Sequence, residues 1–296
     1  EFLFNRRESE QDSVRQLFPT LLALNPNNTF GTGTSIGNMN AVPIIAIPYS
    51  FTQNVDYTRG VIGLRGTFDG AFLNNWDWDL FYQFSRSDGE YTGDIVYNDR
   101  VLATTGGFVG AINPATLLPY GAAANTACFT PNVAQNISGF SCADLPAGGI
   151  PWLSARVLSG AFTAQERAFL FNNETGTTTY DQDLIEGSIS GDLFTLPAGP
   201  VGAALGFSWR KEEINDSPGA TAANYNIWGL TSAGQTAGDD SVKEVFAEFA
   251  IPVAKGLPGI ESLDLSLSGR YTDYESYGAS STYKIGLNWQ VVPSFR

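Results

Sequence analysis

The sequence predicts an all-β chain, specifically an antiparallel transmembrane β-barrel of about eight strands with short turns at one end and long loops at the other. Three observations carry this expectation. Apolar side chains recur at every second position in segment after segment, the mark of strands with two unlike faces. The connections between those segments alternate between short and long, as in a bacterial outer-membrane barrel with short periplasmic turns and long extracellular loops. The face opposite the apolar one carries charge at a density that a dry core would not accept unpaired.

Taken in chain order, Glu1 to Arg7 read as the end of a first strand. Ile62, Leu64 and Phe68 then form one face of a strand that carries Arg59 and Arg65 on or near the other. Trp76, Trp78, Leu80, Tyr82 and Phe84 alternate with Asp77, Asp79, Phe81, Gln83 and Ser85. Ile185, Ile189 and Leu193 lie opposite Glu186, Ser188 and Asp192. Val201, Ala203, Leu205, Phe207 and Trp209 alternate with Gly202, Ala204, Gly206, Ser208 and Arg210. Val245, Ala247, Phe249 and Ile251 alternate with Glu244, Phe246, Glu248 and Ala250. Leu263, Leu265, Leu267 and Tyr271 alternate with Asp264, Ser266, Ser268 and Arg270, and Tyr283, Ile285, Leu287 and Trp289 with Lys284, Gly286, Asn288 and Gln290.

Short turns fall near Gly70 to Asn75, Pro197 to Pro200 and Pro252 to Glu261. Long polar stretches run from Glu8 to Thr52, Gly93 to Gly176 and Asn215 to Asp239, and the last hairpin closes around Gly278. Trp76, Trp78 and Trp289 sit by the short turns, while Tyr271, Tyr274, Tyr277 and Tyr283 cluster at the other end. Two aromatic girdles flanking an apolar band would place them so. The competing account has these rings filling a soluble β core.

Composition excludes several function classes. The chain has 296 residues, 30 Asp and Glu against 16 Lys and Arg, and a net charge of -14, which argues against nucleic acid as a partner. It has no histidine, so Ser-His-Asp and Cys-His catalysis are excluded and most transition-metal sites with them. Asp77 with Asp79, and Glu244 with Glu248, are same-face carboxylate pairs of the kind glycosidases use, but the strand period places them in a polar row. Neither Asp181-Gln182-Asp183 nor Asp239-Asp240 has the ligand spacing of a calcium loop. No catalytic, metal or cofactor site is expected. The candidate ligand-contacting or lumen-lining residues are Arg65, Asp77, Asp79, Arg210, Glu244, Glu248, Arg270 and Lys284.

The segment 93–176 is too long for an ordinary connection. Phe108, Tyr120, Phe129, Phe140, Trp152 and Leu153 give it apolar anchors, and Ala161 to Phe171 reads as a short helix with Thr163 as N-cap and Glu166 three positions on. It is read either as a loop folded over a barrel mouth to touch a ligand or as a self-packed surface loop. Within it, Cys128 and Cys142 are expected to form a disulfide bracing the loop, the alternative being two unpaired thiols.

Two stretches resemble TonB-dependent outer-membrane receptors: SAGQTAGDDSVKEVFAEFAIPV, Ser232 to Val253, and SLSGRYTDYESYGASSTYKIGLNWQVVPSFR, Ser266 to Arg296. NRRESEQ, Asn5 to Gln11, and NPNNTFG, Asn25 to Gly31, are similar to segments of the family's first barrel half. The resemblance implies a partial barrel domain over 1–296, from the middle of a barrel of about 22 strands, with neither plug domain nor energy-coupling box in this sequence. It implies a Gram-negative outer-membrane transporter, embedded in outer-membrane lipid and energised by the TonB complex through a plug. The ligand would be a small molecule, metal chelate or oligosaccharide: a ferric siderophore, vitamin B12 or a glycan. No bond would be made or broken. A soluble secreted β protein, a binding module or glycosidase, is the alternative. A complete small eight-stranded barrel is a third reading, and it requires the first and last strands to pair.

Overall fold

The computed structural model describes residues 1–23, 25–31, 39–70, 74–106, 112–113, 118–119, 136–229 and 234–295. The chain is all-β. Eight long strands form one antiparallel sheet: β1 (Phe2–Leu17), β2 (Ile45–Phe68), β3 (Asn74–Val96), β6 (Phe171–Leu196), β7 (Gly199–Ser217), β8 (Thr236–Leu257), β9 (Ile260–Tyr274) and β10 (Gly278–Gln290). A short ribbon of β4 (Ile112–Asn113) and β5 (Leu118–Pro119) lies in the β3–β6 connection. The long strands pair in sequence order, so the sheet is a meander. It is open. Among the described residues no ladder joins β1 to β10, which is consistent with a partial barrel and runs against a complete eight-stranded one.

The turns obey the expected parity. β2–β3, β6–β7 and β8–β9 are joined by short connections at one end, the turn end. At β8–β9 only two residues, Pro258 and Gly259, separate the strands, and Gly259 takes φ +75, which its missing Cβ permits. The connections at the other end are long, apart from the three residues between β9 and β10.

Several strands outrun the sequence reading. The stretch Glu8 to Thr52 was expected to be loop, yet β1 continues to Leu17 and β2 begins at Ile45. From Glu8 to Ser13 both faces of β1 are polar, as in the pairs Glu8–Asn54 and Ser9–Gln53, so no apolar period marks it, whereas Ile45, Ile47, Tyr49 and Phe51 at the start of β2 do alternate with Ala46, Pro48 and Ser50. β3 and β6 likewise run into both ends of the 93–176 segment. Three register shifts also break the alternation, the first of them between Asn74 and Asp77 of β3. One extra residue between Asp192 and Phe194 sets Phe194, not Leu193, opposite Val201. Another between Pro252 and Ala254 does the same for β8. A bulge shifts parity without changing composition, so an unbroken alternation through Leu193 was the wrong expectation.

The buried apolar cluster lies beyond the sheet, among the long connections. Leu17, Leu21, Ile45, Ile150, Trp152, Val157 and Leu170 are fully or almost fully enclosed there, with Phe140 and Phe169 edge-to-face at 5.3 Å. We call this body the cap. It contains α1 (Asn98–Thr105), α2 (Ala155–Leu158) and α3 (Ala164–Leu170). The expected capping box of α3 is present: Glu166 N donates to Thr163 Oγ1 at 3.2 Å and Thr163 N to Glu166 Oε2 at 2.7 Å. Arg156 grips the same carboxylate with two bonds of 2.7 Å. The β7–β8 connection is tied in as well. It holds α4 (Ala220–Ala223), and Asn226 accepts from Asn98 N and Asp99 N, both at 2.9 Å. The anchors Phe140 and Trp152 are thus core residues of the cap, whereas Phe108, Tyr120 and Phe129 lie outside the described residues.

Candidate functional site

Register pairing decides which residues share a face, because directly opposed residues in an antiparallel ladder point the same way. One row across seven strands reads Arg65, Asp79, Ser188, Gly206, Phe246, Arg270, Thr282. The next, toward the turn end, reads Thr67, Asp77, Ser190, Ala204, Glu248, Ser268, Lys284. Toward the cap, one row carries Glu186, Ser208, Glu244 and Thr272, and the row beyond it carries Gln83, Arg210 and Tyr274. All eight candidate residues therefore lie on one face, within four neighbouring rows. They were chosen on separate strands, and only the register brings them together.

Three of these side chains, Asp79, Glu244 and Arg270, are partnered across strands, and Arg210 within its own strand. Glu244 accepts from Ser208 Oγ at 3.2 Å and Thr272 Oγ1 at 2.8 Å, and lies 3.6 Å from the Arg270 guanidinium. Arg270 also sits over the Phe246 ring, 5.5 Å from its centroid. Ser188 Oγ donates to Asp79 at 3.0 Å. Arg210 lies 3.3 Å from Glu212. Sequence reasoning missed the run that continues from there: Arg59 donates to Gln83, Gln83 reaches Gln182 at 3.5 Å, and Gln182 donates to Glu212 at 2.8 Å. One glutamine on each of two strands, Gln83 and Gln182, was the available signal, and single glutamines are too common on strand surfaces to stand out. Among the described residues no cluster of Asp, Glu or Cys is arranged to hold a metal ion. Cys128 lies outside the described residues, and so does the side chain of Cys142, so the expected disulfide falls there too.

The opposite face is apolar over the same rows. Leu64, Leu80, Gly187, Phe207, Val245 and Tyr271 form one row. Gly66, Trp78, Ile189, Leu205, Ala247, Gly269 and Tyr283 form the next. These side chains are open: Ile62 is 68%, Leu64 62%, Ile285 70% and Tyr283 86% exposed. Rings fill the gaps left by glycines, and a Cβ on Gly187 would come within 2.7 Å of the Phe207 ring. Toward the cap the same face turns abruptly charged. Arg6 pairs with Asp56 at 2.5 Å, Arg86 with Asp88 at 2.9 Å and Asp181 at 3.6 Å, and Lys211 with Asp239 at 3.7 Å.

Of the expected girdles, Trp76 stacks on Phe68 and donates to Asp192 O at 2.9 Å, and Trp289 donates to Gly259 O at 3.1 Å, both near the turn end. Tyr271 and Tyr283 share the apolar face. Tyr274 does not: its register with Val242 and Gly278 puts it on the charged face with Arg210, because it is an odd number of residues from Tyr271. Among the described residues no helix is long and apolar enough to cross a membrane, which has no bearing on strands.

No family model, no curated protein and no solved structure matches this chain.

Proposed function

We propose that this chain forms part of the wall of an outer-membrane transport barrel, of the kind its sequence resembles, in which the apolar face meets lipid and the charged face lines a wet passage. The observation that carries the reading is the division of one sheet into two faces: a band of exposed apolar side chains, and behind it rows of charge linked by hydrogen bonds. In water such a band is an association liability, and in a bilayer it is the solvent-matched surface. The charged belt from Arg6 to Lys211 then marks where the wall leaves the hydrocarbon on the cap side. The open sheet leaves both edge strands free to continue pairing in a larger barrel.

In this reading the protein is no enzyme. A scarce ligand, whether a metal chelate, a cobalamin or an oligosaccharide, binds at the cap end and passes along the charged face. The TonB complex supplies the energy through a plug. Arg65, Asp77, Asp79, Arg210, Glu244, Glu248, Arg270 and Lys284 give the passage its selectivity by charge.

The test is fractionation of the natural protein. Recovery in the outer membrane, with extraction only by detergent, is the expected result. Recovery in the soluble fraction, folded without detergent, overturns the proposal in favour of a secreted β protein.

A further inference from the structure

At the cap end of the charged face lies a cavity of about 270 Å³. Its walls come from β2, β3, β6 and the end of β7, and the β7–β8 connection closes it from above. Four rings line it: Tyr49, Phe51, Tyr91 and Tyr225. Phe51 and Tyr91 stack at 6.4 Å with 28° between their planes. The space is kept by small residues. A Cβ on Gly176 would strike the Tyr91 ring at 2.4 Å, and one on Gly93 would crowd Phe51 and Tyr49 at 3.1 Å.

The charge of the cavity is one-sided. Glu174 and Asp216 turn their carboxylates to this face, whereas Asp94, paired with Asn173, turns its own to the other; among the described residues no lysine or arginine lines the cavity. Each carboxylate is held by neutral donors. Asp94 accepts from Ser50 N at 2.8 Å and Asn173 Nδ2 at 3.4 Å. Glu174 accepts from Thr221 N and, at 3.2 Å, from Ala222 N, which pins the closing connection in place. Asp216 accepts from Thr178 Oγ1 at 2.5 Å and Tyr91 OH at 3.4 Å, both on Oδ1. Neither Glu174 nor Asp216 forms an ion pair with a described residue, although other carboxylates of the sheet do. They also do not converge as metal ligands. Arg15 is not in the lining, and its guanidinium lies 3.5 Å from the centroid of the Tyr49 ring.

At the lip stands Tyr225. It is 65% exposed and has φ 57, the one non-glycine residue with positive φ among those described. A tyrosine held in the left-handed region costs of order 1 kcal/mol, and such strain gathers at ligand clamps. It is among the residues that line the cavity and is not part of the cap core.

We propose that this cavity binds a small organic cation, an ammonium or quaternary ammonium group carried on an apolar frame. Aromatic faces and carboxylates that have neutral donors but no cationic partner both attract such a group, and the mostly apolar wall suits its alkyl substituents. The same features turn away anions, so phosphate or carboxylate ligands are excluded. The assignment stands on the cavity and does not need the transport reading. A chain found only in the soluble fraction yet binding cations would end that reading and leave this one intact.

The experiment is isothermal titration of the full chain, folded in detergent micelles, with choline, with its uncharged isostere 3,3-dimethylbutan-1-ol, and with methyl α-glucopyranoside. The expected result is saturable binding of choline alone. Tyr225→Asn removes the ring and suits the left-handed backbone, so its fold is at least as stable as the parent by thermal melt while choline affinity falls about tenfold or more. Asp216→Asn lowers affinity by a similar factor. Absence of choline binding by the folded chain, equal affinity for the isostere, binding of the glucoside instead, or unchanged affinity in Tyr225→Asn would each overturn the proposal.

Discussion

In the cap, Trp152, Ile150, Leu17 and Ile45 are shut away from solvent entirely, while in the sheet below it Ile62, Leu64, Ile285 and Leu287 stand about two-thirds exposed. Both regions are rich in apolar side chains, and they differ in where those side chains find partners. The cap gathers residues from four distant stretches of chain into a small dry core. The sheet is one layer thick, so neither face has a second layer to bury it. The lesson is that exposed apolar surface in this protein is organised. The chain can build a water-excluding core, and it does so only outside the band.

The sharpest way to break this comparison is to remove the centre of the cap. Trp152→Ala should cost about 3–5 kcal/mol of cap stability. Limited proteolysis should then cut within 136–170, while circular dichroism still reports the strands of the sheet. Loss of both together would mean that cap and sheet fold as one body. Next in size is a charge placed on the apolar face. Leu205→Arg should cost about 2–4 kcal/mol when the chain is refolded into lipid vesicles. If that face met water, the same change would fall within about 0.5 kcal/mol by denaturant titration.

A smaller effect concerns Glu166. Burial pushes its carboxyl up, but the two bonds from Arg156 and the capping box outweigh burial and hold it below the usual glutamate range. A depressed folded-state value means that this stabilisation is present above the ordinary carboxyl range and is lost as pH falls through the folded value. Cap protection from protease should therefore drop at acid pH in the parent and depend less on pH in Glu166→Gln, which should be less stable by about 2 kcal/mol at neutral pH. The smallest change is expected at Arg270→Ala. Its pairing with Glu244 is half-exposed, so melting should shift by no more than about 1 kcal/mol. A large loss there would show that the charged face is packed against something.

The strand faces could be read from the sequence because the two faces differ in polarity, and a period of two survives any loop length. Where both faces are polar, as along Glu8 to Ser13, the period carries no information and the strand passed for loop. The bulge at Leu193 was invisible for a related reason, since one extra residue leaves composition unchanged. Helix α3 was legible through Thr163 and Glu166, a local signal four residues long. The rest of the cap was not, because Leu17, Ile45 and Trp152 meet only in three dimensions. The eight charged candidates could be assigned to a polar face strand by strand, but not to four adjacent rows until the register was known. The cation cavity rests on Tyr225, whose backbone conformation no residue pattern announces.

The strands also differ in length in an ordered way. β6 has 26 residues and β10 has 13, about 85 Å against 43 Å at the usual rise of a strand. The cap, the cavity and the tallest strands stand together, and the far edge is low. The sheet is thus tallest at β2, β3 and β6 and falls toward both edges, to 16 residues at β1 and 13 at β10. In the transport reading proposed above, the wall therefore reaches furthest where the cap sits, and a ligand entering at that end meets β2, β3 and β6 before the lower strands.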